Sequence, residues 1–184
     1  HMLGLGQFTE RVDVLMAVAT NPNRYPIVRR DACKGLRTMG VLTPKICQTL
    51  IAATKDNYFE TKVEALHALC VLFSTNSHKN IDVKELLSVA KRHAKSREFD
   101  VRMYALALLA LLCKDYSEIE EVYKANYFHP NWQVRKKMVE SFVRLQKDGK
   151  ISDEKVRDIL ENKFLQTSYG FEIQFKLKEE LIQL

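Results

Sequence analysis
Apolar residues recur along this chain at helical spacing, interrupted every dozen or so positions by short polar stretches. One pattern repeats: a β-branched residue, usually followed by a cation, then apolar residues four and eight positions on. It appears as Val28-Arg29 with Ala32 and Leu36, and as Thr61-Lys62 with Ala65 and Leu69. It returns as Val101-Arg102 with Ala105 and Leu109, as Val134-Arg135 with Met138 and Phe142, and in degenerate form as Ile173-Gln174 with Leu177 and Leu181. The intervals are 33, 40, 33 and 39 residues. Spacings of four and eight place these side chains on one helical face. Recurrence at intervals of this length is the signature of a repeat architecture.

Each copy follows a second amphipathic stretch, so the chain divides into helix pairs. They are expected at 8–20 with 26–39, 44–55 with 58–73, 82–95 with 98–113, 117–127 with 131–147, and 153–164 with 170–183. Punctuation supports the division. Thr43-Pro44 reads as a cap followed by proline in the first turn. Asp82 with Glu85, and Ser117 with Glu120, have capping-box spacing, and Ser152 caps the next helix. Gly40 and Gly149 fall just past helix ends. The polar run Ser74 to Asn80 is the one long loop. Residues 104–113 are apolar nearly all round, which predicts a helix buried on several sides.

The segments Ile27-Val28-Arg29-Arg30-Asp31-Ala32, Asp100-Val101-Arg102-Met103-Tyr104-Ala105 and Pro130-Asn131-Trp132-Gln133-Val134-Arg135 carry a resemblance: the chain resembles HEAT repeats, part of the armadillo-like helical superfamily. The resemblance implies an all-α fold, a right-handed α-α superhelix, or solenoid, of about five helix pairs. Thr61-Lys62 and Ile173-Gln174 depart from the family's Val-Arg, and its inter-repeat aspartate is not consistently present. The short intervals leave no room for the third helix of an armadillo repeat. The tetratricopeptide pattern of Trp, Gly, Tyr and Pro is absent. His1-Met2 reads as a cloning remnant, and residues 3–184 as a single HEAT-like domain. The helix ending Leu181-Ile182-Gln183-Leu184 lacks a polar closing face, which a solenoid end normally needs; a fragment of a larger protein is expected.

Composition narrows the function. Apolar residues make up 46% of the chain, and Gly (6) and Pro (4) are scarce, against disorder and against an all-β fold. No apolar run is long enough to span a membrane. The four cysteines, Cys33, Cys47, Cys70 and Cys113, lie singly in apolar helical stretches and read as small buried hydrophobes in a reduced, intracellular protein of cytoplasm or nucleus. The net charge is +6, and the basic excess lies before residue 151. An acidic partner follows from it, protein or nucleic acid.

Catalytic patterns are thin. The histidines lack HExxH spacing, and neither GxSxG nor a phosphate loop occurs. A single tryptophan is a poor match to HEAT-like DNA glycosylases, which use several. The chain reads as a non-enzyme with no cofactor, metal or small-molecule substrate. In HEAT-like stacks the second helices line the concave face, so the resemblance makes Arg29, Arg30, Lys62, Arg102, Arg135 and Lys136 a basic stripe for an acidic protein segment or complex subunit, or for nucleic acid. The same family often bonds the motif cation to a neighbouring turn, a structural role for Arg29, Lys62, Arg102 and Arg135. Arg30 and Lys136 lie outside that position. A second cluster, Lys91, Arg92, Lys95 and Arg97, ends a first helix, where the dipole alone favours cations. Aromatics recur near the turns (Tyr25, Tyr58, Phe59, Phe99, Tyr127, Phe128, Tyr169, Phe171), positioned either to staple each turn or to hold a partner. Trp132 stands out by its polar neighbours Asn131 and Gln133. The leading expectation is a scaffold or adaptor that binds another protein, with nucleic-acid binding through the same stripe as the alternative.

Overall fold
Local signals explain where most of the helices begin and end. The computed structural model describes residues 2–76 and 80–164, and every regular element among them is helical. The elements are α1 (Met2–Ala19), α2 (Pro26–Met39), α3 (Pro44–Ala53), α4 (Phe59–Thr75), α5 (Val83–His93), α6 (Phe99–Leu112), a 3-10 turn (Tyr116–Glu118), α7 (Glu120–Lys124), α8 (Trp132–Lys147), α9 (Asp153–Ile159) and a π turn (Leu160–Phe164). The Thr43 hydroxyl accepts from the Ile46 N–H at 3.2 Å with Pro44 in the first turn. Asp82 accepts from the N–H groups of Lys84 and Glu85, and Ser152 from that of Lys155. Gly40 (φ 71°) and Gly149 (φ 67°) close α2 and α8 in the left-handed region, which any side chain would make costly.

One expected helix differs. The span 117–127 is a 3-10 turn followed by the short α7. Ser117 does not cap it; Asp115 does, accepting from the Ser117 N–H at 2.8 Å. The reason is packing. Tyr116, Ile119 and Tyr123 all turn into the core, and a break at Ile119 (φ −123°, ψ −3°) sets their directions. At the expected Ser74–Asn80 loop, α4 continues through Thr75. The fifth second helix, with Ile173, Gln174, Leu177 and Leu181, lies outside the described residues, as do Tyr169, Phe171 and the end at Leu184.

The chain forms two compact units, His1–Leu86 and Leu87–Leu184. In the first, α2 packs on both α1 and α4. Its core holds Ala32, Cys33 and Leu36 from α2 and Ala65, Leu66, Leu69 and Leu72 from α4. Each fully buried leucine contributes about 1.5–3 kcal/mol of transfer free energy. Gly35 sits against Leu15 of α1: a Cβ there would lie 2.9 Å from Leu15 Cδ2, so glycine permits the approach. The Asn76 amide stitches the α2 end to the α4 end, donating to Gly40 O (3.1 Å) and Leu72 O (3.0 Å) while accepting from the Leu42 N–H.

In the second unit, α6 packs on α8. Leu106 and Leu109 of α6 and Met138 and Phe142 of α8 are fully buried. Phe142 lies in a nest of tyrosines, with ring centroids 5.7 Å from Tyr116, 5.4 Å from Tyr123 and 6.2 Å from Tyr127. Each buried hydroxyl has a partner: Tyr123 donates to Leu106 O at 2.8 Å, and the Tyr116 and Tyr127 hydroxyls pair at 2.6 Å. Lys150 Nζ donates to the orphan carbonyls of Ala110 and Leu111 at the α6 end, both at 2.9 Å.

The motif's β-branched positions differ in burial. Thr61, Val101 and Val134 are fully buried. The Thr61 hydroxyl donates to Pro26 O of α2 at 3.3 Å, so α2 covers it. Val28, at the same register, is 41% exposed.

Candidate functional site
The three motif arginines turn inward, to the backbone of their own turns. Arg29 Nη1 donates to Arg24 O at 2.5 Å, Arg102 Nε to Ser96 O at 2.8 Å, and Arg135 Nη1 to Pro130 O at 2.9 Å and to His129 O. These carbonyls lie five or six residues before the arginine, in the turn that joins the two helices of a pair. Side-chain caps with hydrogen bonds are absent at the start of α2 and α6. The guanidinium instead holds the entering turn, which is why the cation recurs at one register.

Two of these arginines also reach the following turn of their own unit. Arg29 makes a bidentate pair with Asp56, Nε to Oδ2 at 2.6 Å and Nη2 to Oδ1 at 2.8 Å. The fork geometry suits a carboxylate. The hydrogen bond from Arg29 holds the Asp56 carboxyl below its ordinary range, and the same contact raises Arg29. Arg102 Nη1 donates to Asn126 Oδ1 at 2.9 Å. Burial lowers the Arg102 pKa. The buried Asn126 uses both amide hydrogens as well: its Nδ2 donates to Val122 O (2.8 Å) and to Ala94 O (3.5 Å). Sequence inspection missed Asp56 and Asn126, because their partners lie 27 and 24 residues away.

The other expected site residues differ in how they are engaged. Arg30 bonds Glu60 at 2.8 Å and Asp31 at 2.8 Å. Lys62, half-buried, helps to hold the Asp56 carboxyl low. Arg135 is only 3% exposed. Lys136 has no carboxylate within ion-pair distance among the described residues; its Nζ lies 5.8 Å from the Trp132 ring centroid. Trp132 itself is 42% exposed, at the first turn of α8, where Asn131 caps by accepting from the Gln133 N–H at 2.8 Å. The geometry therefore separates the seven. Arg29, Arg102 and Arg135 hold turns, Arg30 and Lys62 lie beside carboxylates, and Trp132 and Lys136 form an open cation–π pair.

The recurring aromatics also divide. Tyr127 is in the tyrosine nest, and Tyr58 is half-buried. Tyr25, Phe59, Phe99 and Phe128 are exposed with Trp132. The exposed rings cluster where second helices begin: Phe59, Phe99 and Trp132 each stand two residues before the β-branched position.

The cysteines are buried except Cys70, which is half-buried. Burial pushes the Cys33 thiol up to about 12 and those of Cys47 and Cys113 up to about 11, which suppresses the nucleophilic thiolate. Among the described residues, no helix is long and apolar enough to cross a membrane. No family model matches the chain, and no curated protein matches it.

Proposed function
We propose that the chain is a HEAT-like α-solenoid segment acting as a non-enzymatic scaffold or adaptor, which binds an acidic segment of another protein inside the cell. The repeat reading is supported by the motif arginines, which play one role in three copies by holding the turn before the second helix. A right-handed superhelix with the second helices on its concave face is the arrangement the HEAT resemblance implies.

The observation that carries a protein partner over nucleic acid is the placement of carboxylates among the cations. Arg29, Arg30 and Arg37 each face an acid, Asp56, Glu60 and Glu64, at 2.6, 2.8 and 2.7 Å. A phosphate backbone tracks continuous positive charge; a surface of mixed sign suits a peptide with its own charge pattern. The test is an anisotropy titration of a labelled glutamate-rich peptide, beside a labelled single-stranded DNA oligomer, at low and moderate salt. Saturable peptide binding that weakens on reversing Arg30, Lys62 and Lys136 to Glu is expected. DNA binding with a steep salt slope, and none to the peptide, would transfer the assignment to nucleic acid.

A further inference from the structure
The second unit carries a basic and aromatic edge distinct from the second-helix stripe. The α5–α6 turn and the α7–α8 turn lie side by side, joined by the Asn126 bonds to Ala94 O and from Arg102 Nη1. The α5–α6 turn presents Lys95 and Arg97, both exposed, with no carboxylate in ion-pair distance among the described residues. The α7–α8 turn presents Phe128, 62% exposed, and leads into Trp132 with Lys136 over its ring. Exposed large aromatics beside unneutralised cations are costly in plain surface, since ring area meets water and like charges stand close. The helix behind the edge, α8, carries Arg135, Lys136, Lys137, Arg144 and Lys147 against a single acid, Glu140.

We infer that this turn edge is the docking site for an acidic peptide bearing an aromatic or large aliphatic side chain, the side chain seating on Trp132 and Phe128 and its carboxylates facing Lys95, Arg97 and Lys136. The occupant follows from charge complementarity: among the described residues these three cations have no carboxylate within ion-pair distance, and the adjoining rings offer area for one apolar anchor. Glu98 stands exposed between Arg97 and Phe99 and interrupts the positive edge, which disfavours a continuous phosphate backbone. The assignment rests on the protein-binding reading above and adds a contact surface at the turns.

Trp132 is the chain's single tryptophan, so its emission reports on this edge alone. The experiment titrates the protein with a synthetic peptide of glutamates around one central phenylalanine and reads tryptophan emission and, with a labelled peptide, anisotropy. A saturable emission change is expected, together with about tenfold weaker binding for Trp132→Ala and for the Lys95→Glu, Arg97→Glu pair, each about 1.4 kcal/mol. Lys147→Glu leaves binding unchanged, and unfolding curves that match the parent's establish that the variants fold. Peptide binding that survives the edge variants but falls with Arg30→Glu and Lys62→Glu overturns this site while the protein-binding reading stands. Binding of an oligonucleotide with none of the peptide overturns both. Absence of any peptide binding also overturns the site.

Discussion

The two units solve one packing problem with different chemistry. In the first, the second helices α2 and α4 and the turn between them are laced by charge: Arg29–Asp56, Arg30–Glu60 and Arg37–Glu64 all run from α2 toward the next helix pair. In the second, α6 offers Asp100 and Arg102 as its only charges and otherwise reads Met103-Tyr104 through Leu112. Its partner α8 therefore meets it through Phe142, Met138 and the tyrosine nest, with polar clips to α6 from Asn126, Tyr123 and Lys150. Of the α8 cations, Arg135 is buried against its own turn, and three others pair on α8's own end or side: Lys137 with Glu140, Arg144 with Asp148, and Lys136 over Trp132. The lesson is that a basic helix is not by itself a binding surface. Its cations become available to a partner only where the neighbouring helix has no carboxylates to meet them.

The largest effect should come from the apolar side of the contrast. Phe142→Ala empties the centre of the nest and strands packed rings around it; a loss of about 3–5 kcal/mol in urea unfolding is expected. In the first unit the largest effect should instead come from charge. Asp56→Asn removes the counterion of a nearly buried guanidinium, and a loss of about 2 kcal/mol is expected. Asn126→Ala should cost about 1–2 kcal/mol, because it leaves Arg102 Nη1 and the Ala94 and Val122 carbonyls short of partners. The surface change Lys136→Gln should stay within about 0.5 kcal/mol.

Acid sharpens the same comparison. The Asp56 carboxyl is held low in the folded state by the Arg29 hydrogen bond, so its contribution is present above the usual carboxylate value of about 4 and is lost as pH falls through the lowered folded value. His129 is pushed down by burial and then by the charge of Arg102. Its neutral form is favoured on folding, so stability is full above about 6.5 and declines as pH falls below it. Stability measured across pH should thus lose a His129-dependent increment first, abolished by His129→Gln. An Asp56-dependent increment should follow at lower pH, abolished by Asp56→Asn.

The sequence made the caps at Thr43, Asp82 and Ser152 and the glycines at 40 and 149 legible, because each signal acts within a few residues of itself. The helical face of Ala32, Leu36, Ala65, Leu69, Ala105, Leu109, Met138 and Phe142 was legible for the same reason. What the arginines bond was not, since Asp56 and Asn126 are distant along the chain and asparagine gives no periodic sign of burial. The break at Ile119 was hidden too: Ser117 and Glu120 have the spacing of a capping box, and only the inward pull on Tyr116 and Tyr123 selects Asp115 instead. Of the candidate site, Trp132 was picked out by its polar neighbours and is half-exposed; Tyr127, in the same aromatic series, turned out to be core.

The central claim is that the motif arginines hold the turns before their helices while Lys136, beside Trp132, holds none. Urea unfolding of Arg29→Gln, Arg102→Gln, Arg135→Gln and Lys136→Gln tests it most directly. The account predicts losses of about 1–3 kcal/mol for the three arginines and less than about 0.5 kcal/mol for the lysine. Four variants with equal, near-parental stability would contradict it.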